Sequence, residues 1–249
     1  MRKIAALMSL SLTVLISGCV PVDSLNPLYT DSNVIFEPGL LGRWAGSEPD
    51  EGLRFDRAEN NAYQIIMTEK KNSALKQSIF QAHLVSLGGE KYLDVQPKEL
   101  EGSPEQFLFQ MDTAKKGSRF APTLQRVSLG VYLEMIGPTP GKATVQEIQI
   151  KLRPAHWIFK VELHDKSLSL AYLDDEWVKK AIQKKLIQAS HLKARDDNQI
   201  AWVLTGSTAE IQQLVVHTAD DPGAFNAGLA LSRVDAPASM PASKEPGNP

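Results

Sequence analysis

The side chains that could do chemistry are few and widely spaced along this chain. It has five histidines and a single cysteine, and no two histidines show the Glu-containing i, i+4 pattern with which one helix face binds a metal. His156 and His164 stand eight residues apart in a predicted strand, about 26 Å at ~3.3 Å per residue. The sequence therefore predicts no metal site.

Carboxylates offer a second kind of chemistry. Asp174, Asp175 and Glu176 are consecutive and could bind calcium or act as general acid and base. They lack the alternation of an EF-hand loop, and a helix start explains them, with Asp174 as N-cap and the other two in the first turn. A hydrolytic enzyme using Asp94, Asp174 or His156 is the weakest alternative, because it requires these side chains to meet in one cleft.

Ser207 follows a glycine, but its surroundings are not those of a nucleophile. The segment Gly206-Ser207-Thr208-Ala209-Glu210 differs from the Gly-x-Ser-x-Gly turn of serine hydrolases. A serine with a glutamate three residues later is typical of a capping box at a helix start. Without a catalytic constellation, we favour a non-enzymatic protein and predict no cofactor.

Cys19 has no cysteine partner for a disulfide within one molecule. Before it, Arg2 and Lys3 lead into an apolar stretch over residues 4–16, which is shorter than the ~20 residues of a spanning helix. A basic start, an apolar stretch and small residues at its end are typical of a secretory signal peptide. The segment Ile16-Ser17-Gly18-Cys19 also resembles the lipobox of bacterial lipoproteins.

That resemblance implies cleavage between Gly18 and Cys19. It further implies a diacylglyceryl group on the Cys19 thiol and an acyl chain such as palmitate on the new amine, and two or more acyl chains hold a protein firmly to a bilayer. Val20, rather than aspartate, follows the cysteine. Among lipoproteins of two-membrane bacteria this implies the outer membrane, facing the periplasm.

The charge of the mature chain excludes some partners. Removal of residues 1–18 lowers Lys+Arg from 27 to 25 against 29 Asp+Glu, so the net charge becomes −4. A mildly acidic body does not bind nucleic acid, which demands clustered positive charge. The composition also gives no polybasic patch for anionic lipid headgroups.

Composition divides the chain into four parts. Residues 1–18 are the signal peptide, and residues 19–39, with several prolines, are predicted to be the lipidated cysteine and a tether. Residues 40–234 are predicted to form one β-rich domain, in which residues 98–126 and 137–154 could be long loops or an extra hairpin. Residues 235–249, rich in Pro, Ala and Ser, cannot bury enough apolar surface to order and form a disordered tail.

Apolar residues recur at every second position through most of the domain. This period predicts antiparallel strands near residues 63–68, 80–84, 92–95, 127–135, 157–163 and 168–172. Gly88-Gly89 and Asp165-Lys166 predict two hairpin turns. Residues 200–204 and 229–231 predict further strands.

The last third of the domain has helical signals. Trp177, Val178, Ala181, Ile182 and Leu186 form an apolar stripe after the Asp174 cap. A second helix begins at Ser207, with Ile211, Leu214 and Val215 facing inward. Asp221-Pro222 predicts a short third helix. The fold class is therefore α+β: mainly an antiparallel sheet or partial barrel with two to three C-terminal helices.

The start of the domain, Gly42-Arg43-Trp44, resembles the first strand of lipocalin-type barrels. The resemblance implies that Trp44 plugs the barrel floor and that a late arginine, here Arg233, stacks on it, which contributes ~0.5–2 kcal/mol. More widely, the chain resembles a family of uncharacterised bacterial envelope lipoproteins. The segments that carry this are residues 26–29, 42–44, 80–94, 157–161, 173–177 and 204–210. Residues 98–154 depart from the shorter pattern of that family, and the resemblance therefore implies an insertion over residues 98–154.

These observations leave two functions ahead of the enzyme. The first is a membrane-anchored lipoprotein that binds an envelope protein partner or maintains the envelope. The second is a lipocalin-like carrier whose aromatic residues line a cavity for a small apolar ligand, although such residues more often fill a core.

Overall fold

The computed structural model describes residues 21–48, 50–71, 74–98, 124–128, 131–136, 149–196 and 199–234. The predicted signal peptide, Cys19 and the predicted tail at 235–249 lie outside these residues, as does most of 98–154. The strands are β1 Asp23–Ser24, β2 Val34–Ile35, β3 Gly42–Ala45, β4 Gly52–Arg57, β5 Ala62–Lys71, β6 Ala74–Leu87, β7 Glu90–Pro97, β8 Leu124–Ser128, β9 Val131–Ile136, β10 Gln149–Pro154, β11 His156–Leu163, β12 Ser167–Leu173, β13 His191–Asp196, β14 Gln199–Leu204 and β15 Phe225–Arg233. The helices are α1, Asp175–Gln183, and α2, Thr208–Thr218.

Eight of these strands close into an antiparallel barrel. In chain order they are β3, β4, β5, β6, β7, β11, β12 and β15, and each pairs with the next. The last strand pairs with the first through Ser232↔Ala45 and Arg233↔Trp44. The mainly antiparallel β architecture predicted from the period of two is confirmed, and the sheet closes rather than remaining partial.

Both predicted hairpin turns are present. Leu87 pairs with Glu90, so Gly88 and Gly89 alone connect β6 and β7. Both have positive φ, 60° and 87°, which is the type I′ geometry that matches strand twist and that side chains resist. At the other turn, the His164 and Ser167 backbones bond to each other around Asp165-Lys166.

The barrel interior is filled by large apolar side chains. Trp44, Phe55, Tyr63 and Trp157 are buried there together with aliphatic side chains from the seven barrel strands other than β3. At one end, a 3-10 turn, Pro38–Leu40, crosses the barrel, and Trp44 Nε1 donates to Leu40 O at 2.8 Å. Burying a polar N–H requires such a partner, which fixes the indole against the turn.

The contact between Trp44 and Arg233 is present. The guanidinium carbon lies 4.3 Å from the Trp44 ring centroid, and the group donates to the carbonyls of Gly39, Leu41 and Asp165. Because Arg233 ends β15 while Trp44 lies in β3, this contact covers the line where the barrel closes.

Residues 21–35 are part of the folded body, which corrects their assignment to a tether. β1 pairs antiparallel with β11 at His156 and Trp157, next to the part of β11 that pairs with β12. On its other side, β1 runs parallel to β14. Val22 and Leu28 are fully buried. The prolines and asparagines of this segment suggested a linker, but its few apolar residues find a partner surface on the outer wall of the barrel.

The same sheet continues beyond β1 in the order β14, β13, β8, β9 and β10. The described parts of residues 98–154 are the last three of these strands, which pair antiparallel with one another. The single strand predicted over residues 127–135 is therefore wrong. β8 and β9 are two strands joined near Ser128↔Val131, and a two-residue period cannot distinguish a hairpin from one long strand.

The first two predicted helices and their caps are present, with two corrections. Trp177 N donates to Asp174 Oδ1 at 2.6 Å, and Ser207 and Glu210 form the predicted capping box. Residues 221–224 form a turn instead of a third helix, because Asp221 Oδ1 accepts from Gly223 N at 2.8 Å. Leu186 lies beyond the end of α1 and is exposed, while Ile187 is buried in its place.

Both helices and residues 21–29 pack against the outer wall of the barrel. Val22, Leu28, Ile158, Leu214 and Val215 belong to this second core, which contains no residue of the barrel interior. The barrel wall thus separates two cores, one enclosed by the strands and one between the strands and the outer elements.

Candidate functional site

Three of the buried polar side chains, those of His83, Asp94 and His156, meet on the outer face of the barrel wall. Leu93 and Val95 of β7 point inward, so the alternation of a strand points Asp94 outward. The same rule places His83 of β6 and His156 of β11 outside. His83 pairs with Asp94 across β6 and β7, and Ile158 pairs with Asp94 across β11.

Asp94 is the centre of this cluster. It is 1% exposed, and its Oδ1 lies 2.6 Å from His156 Nδ1. That distance requires a shared proton, which Nδ1 donates when the carboxyl group is ionised. Asp94 Oδ2 accepts from Leu28 N at 2.5 Å. Both oxygens are therefore engaged, as a buried carboxylate requires.

Tyr29 covers the second histidine. Its ring stacks on His83 with centroids 3.9 Å apart and lies 6.4 Å from His156. Burial lowers the pKa of His83, and the neighbouring His156 lowers it further against the opposing effect of Asp94. Burial and the Asp94 charge raise the pKa of the Tyr29 hydroxyl. At neutral pH both rings are uncharged.

We call residues 26–29 the strap, because they cross the outer wall and join it to α2. Asn26 Nδ2 donates to Thr205 O and, at 2.8 Å, to Gly206 O just before α2. Leu28 O accepts from Gln212 Nε2 at 2.7 Å. The strap is thus bonded to Asp94 on one side and to α2 and its leading loop on the other.

This geometry resembles part of a hydrolase but lacks the rest. An Asp–His pair orients an imidazole, and a hydroxyl beside its free nitrogen would complete a triad. Ser24 is the register partner of His156, but its hydroxyl is buried and donates to Asn26 O at 2.7 Å. The described chain also brings together no three His, Cys, Asp or Glu side chains that could hold a metal.

The three residues named for a hydrolytic enzyme, Asp94, Asp174 and His156, do not all meet in one place. Asp94 and His156 meet, but Asp174 lies elsewhere, where its Oδ1 caps α1 and its Oδ2 accepts from Asn226 Nδ2 at 2.5 Å. Asp175, next to it, has one buried oxygen without a partner. Burial, and then the charge of Glu176, raises the pKa of Asp175 to about 6.

Two members of the cluster, His83 and Tyr29, were not predicted as site residues. A signal for His83 was present: counting outward from the Gly88-Gly89 turn pairs it with Asp94. Tyr29 carried no such signal, because nothing in the local sequence places the strap on the barrel.

Comparison with known proteins adds no relative. No family model, no curated protein and no solved structure matches the chain. In the part of the chain that the structure describes, no helix has the length and apolar character needed to cross a membrane.

Proposed function

We propose that this protein is a bacterial lipoprotein, acylated on Cys19 and held to the outer membrane facing the periplasm. Its barrel acts there as a non-enzymatic component that binds an envelope partner or maintains the envelope. The proposal rests first on the lipobox-like segment that ends at Cys19. Pro21, two residues after Cys19, bridges to Asp174 and so belongs to the folded body.

The state of the Asp94–His156 pair supports a non-enzymatic role. Both side chains are buried, and the strap closes over them with hydrogen bonds at Asn26 and Leu28. A general base must reach the proton that it abstracts, whereas here the carboxylate is used to hold a backbone amide. The pair is best explained as the fastening of the strap to the wall.

A carrier of a small apolar ligand is the second candidate. The closed barrel with an apolar interior is compatible with it. It has less support, because Trp44, Phe55, Tyr63 and Trp157 already occupy the described interior, and ligand sites are concave spaces that these side chains would have to vacate.

The anchor is tested by growing cells with an alkyne fatty-acid analogue and measuring the intact mass of the purified protein. We expect label on the wild type, a mature chain that begins at Cys19, and release of the Cys19→Ser variant from the membrane. Ser17→Thr serves as a control that leaves the thiol in place. An unlabelled protein whose first residue is not Cys19 would end the proposal.

The two binding roles are separated by native mass spectrometry of protein extracted from its own membrane. A retained small molecule of constant mass would favour the carrier, whereas a retained polypeptide would favour the partner-binding role.

A further inference from the structure

The end of α1 holds an apolar side chain outward in a fixed position. Lys185 has φ 60°, and the amides of Lys185 and Leu186 bond back to the carbonyls of Ile182 and Ala181. This left-handed ending satisfies the last helix carbonyls. Leu186 is 65% exposed, whereas Ile187 behind it is buried. The exposure of Leu186 therefore does not come from a frayed helix.

Lysines surround this leucine. Lys184 and Lys185 are exposed and make no ion pair with any described residue. Lys179 and Lys180 lie one turn earlier and share Glu176, at 2.9 and 4.0 Å. We call residues 184–186 the tip. It combines two uncompensated positive charges with one exposed leucine, although the chain as a whole is acidic.

The tip lies near the point where the chain leaves the body. Pro21 bridges to Asp174, the N-cap of α1, and Cys19 precedes Pro21 by two residues, which span at most about 7 Å. The nine residues of α1 extend about 14 Å at 1.5 Å per residue. An acyl chain on Cys19 therefore holds the tip within roughly 25 Å of its own attachment point.

We propose that the tip is the surface through which the body contacts the anionic bilayer that receives the Cys19 acyl chains. Lysines near a charged bilayer contribute about 1 kcal/mol each, and a leucine between them can enter the headgroup region. This inference rests on the proposed anchor. It adds a local feature to the expectation drawn from composition: Lys179, Lys180, Lys184 and Lys185 lie in or just after one helix.

The test uses the full acylated chain. If the Cys19 thiol is a thioether, Leu186→Cys introduces the only reactive thiol, which is labelled with an environment-sensitive dye. Labelled protein is reconstituted in vesicles of phosphatidylcholine alone or with added phosphatidylglycerol. We expect a blue shift, and quenching by lipid-borne nitroxides, only in the vesicles that contain phosphatidylglycerol.

Three variants serve as comparisons. Lys184→Gln with Lys185→Gln should lower the ratio of bilayer-bound to free tip roughly thirtyfold, about fivefold per lysine. Lys70→Gln with Lys166→Gln makes the same charge change at exposed sites elsewhere and should have little effect. A dye at Leu75→Cys, a residue 59% exposed in the β5–β6 hairpin, should stay in water.

Failure of the anchor and failure of the tip give different results. An anchor that is absent leaves two reactive thiols, an intact mass without lipid and protein that does not float with vesicles. The tip proposal alone is overturned if acylated, floating protein keeps the dye in water. It is equally overturned if the dye is buried to the same extent after both lysines are replaced. Burial of the dye that increases with protein concentration in detergent would also overturn it, because the dye would then report contact with a second copy of the chain.

Discussion

The interior of the barrel and the layer outside its wall bury different kinds of side chain. Inside, most buried groups are apolar. Trp44 and Tyr63 bond to backbone groups of residues 37–40, and Trp157 Nε1 donates to the buried carboxylate of Asp23 at 2.5 Å. Outside, the strap and helices cover His83, Asp94 and His156 together with aliphatic residues. Burial lowers the pKa of the His83 imidazole, so the stability of the outer layer depends on pH. We therefore expect acid to loosen the outer layer before the barrel.

The largest effect should come from the interior. Trp44→Ala removes a fully buried indole, and we expect a loss of about 3–5 kcal/mol in the free energy of unfolding. Urea denaturation followed by circular dichroism measures it. Arg233→Met, which keeps much of the side-chain volume but loses the cation, should cost less than half as much. An equal cost would mean that the contacts of Arg233 where β15 closes on β3, and not burial of the indole, account for most of the stability lost in Trp44→Ala.

Asp94→Ala should act on the outer layer alone. It leaves the Leu28 amide and His156 Nδ1 without their acceptor, and we expect a loss of about 2–4 kcal/mol. Amide exchange should rise in residues 26–29 and in α2 before it rises in β4 and β5. The exposed Asp165→Ala serves as the control. Uniform exchange across barrel and strap would contradict the separation of the two layers.

Acid should loosen the outer layer through His83. Its folded pKa lies below the ordinary 6.5, so the unfolded chain binds more protons below that pH and stability falls as pH decreases through this window. His83→Phe keeps a ring against Tyr29 and should reduce the slope of stability between pH 7 and 5. His164→Phe, at an exposed site, should leave the slope unchanged.

The smallest effect should come from Asp175, with the opposite sign. Its folded pKa of about 6 lies above the ordinary 3.8, so stability is lost as pH rises from about 4 to 6. Asp175→Asn should be more stable than the wild type by about 1 kcal/mol at pH 7.5, after allowance for solvent screening, and equal to it near pH 3.5. Thermal denaturation at both pH values measures this. A variant that is no more stable at pH 7.5 would mean that the helix dipole offsets the cost of burial.

The sequence predicted the frame better than the outer layer, for a physical reason. β5, β6, β7, β11 and β12 each have one face in an apolar core, so their residues alternate. The short turns between β6 and β7 and between β11 and β12 fix the register of those pairs. The strap has no period of its own, because its residues are held singly by the amide of Asn26 and the backbone of Leu28. Its place depends on partners more than 60 residues away.

The same reason separates what was found of the site from what was missed. Asp94 and His156 were named as candidates, yet their contact joins residues 62 apart and no local pattern encodes it. The caps at Asp174 and Ser207 were predicted, because a capping side chain and the backbone amide that donates to it are three positions apart. The prediction of one strand over residues 127–135 was wrong for a related reason, because the two strands of a hairpin show the same two-residue period as a single long strand.

The way in which the barrel closes has a consequence for biogenesis. Arg233 bonds to the Leu41 carbonyl 192 residues earlier, and β3 gains its second neighbour only from β15. Until that last strand has emerged, β3 and β12 each present an unpaired edge, which invites association with other chains. A chain that ends before Ser232 should therefore aggregate rather than form a smaller soluble product, so cells that make it depend on holding the nascent polypeptide apart until synthesis is complete.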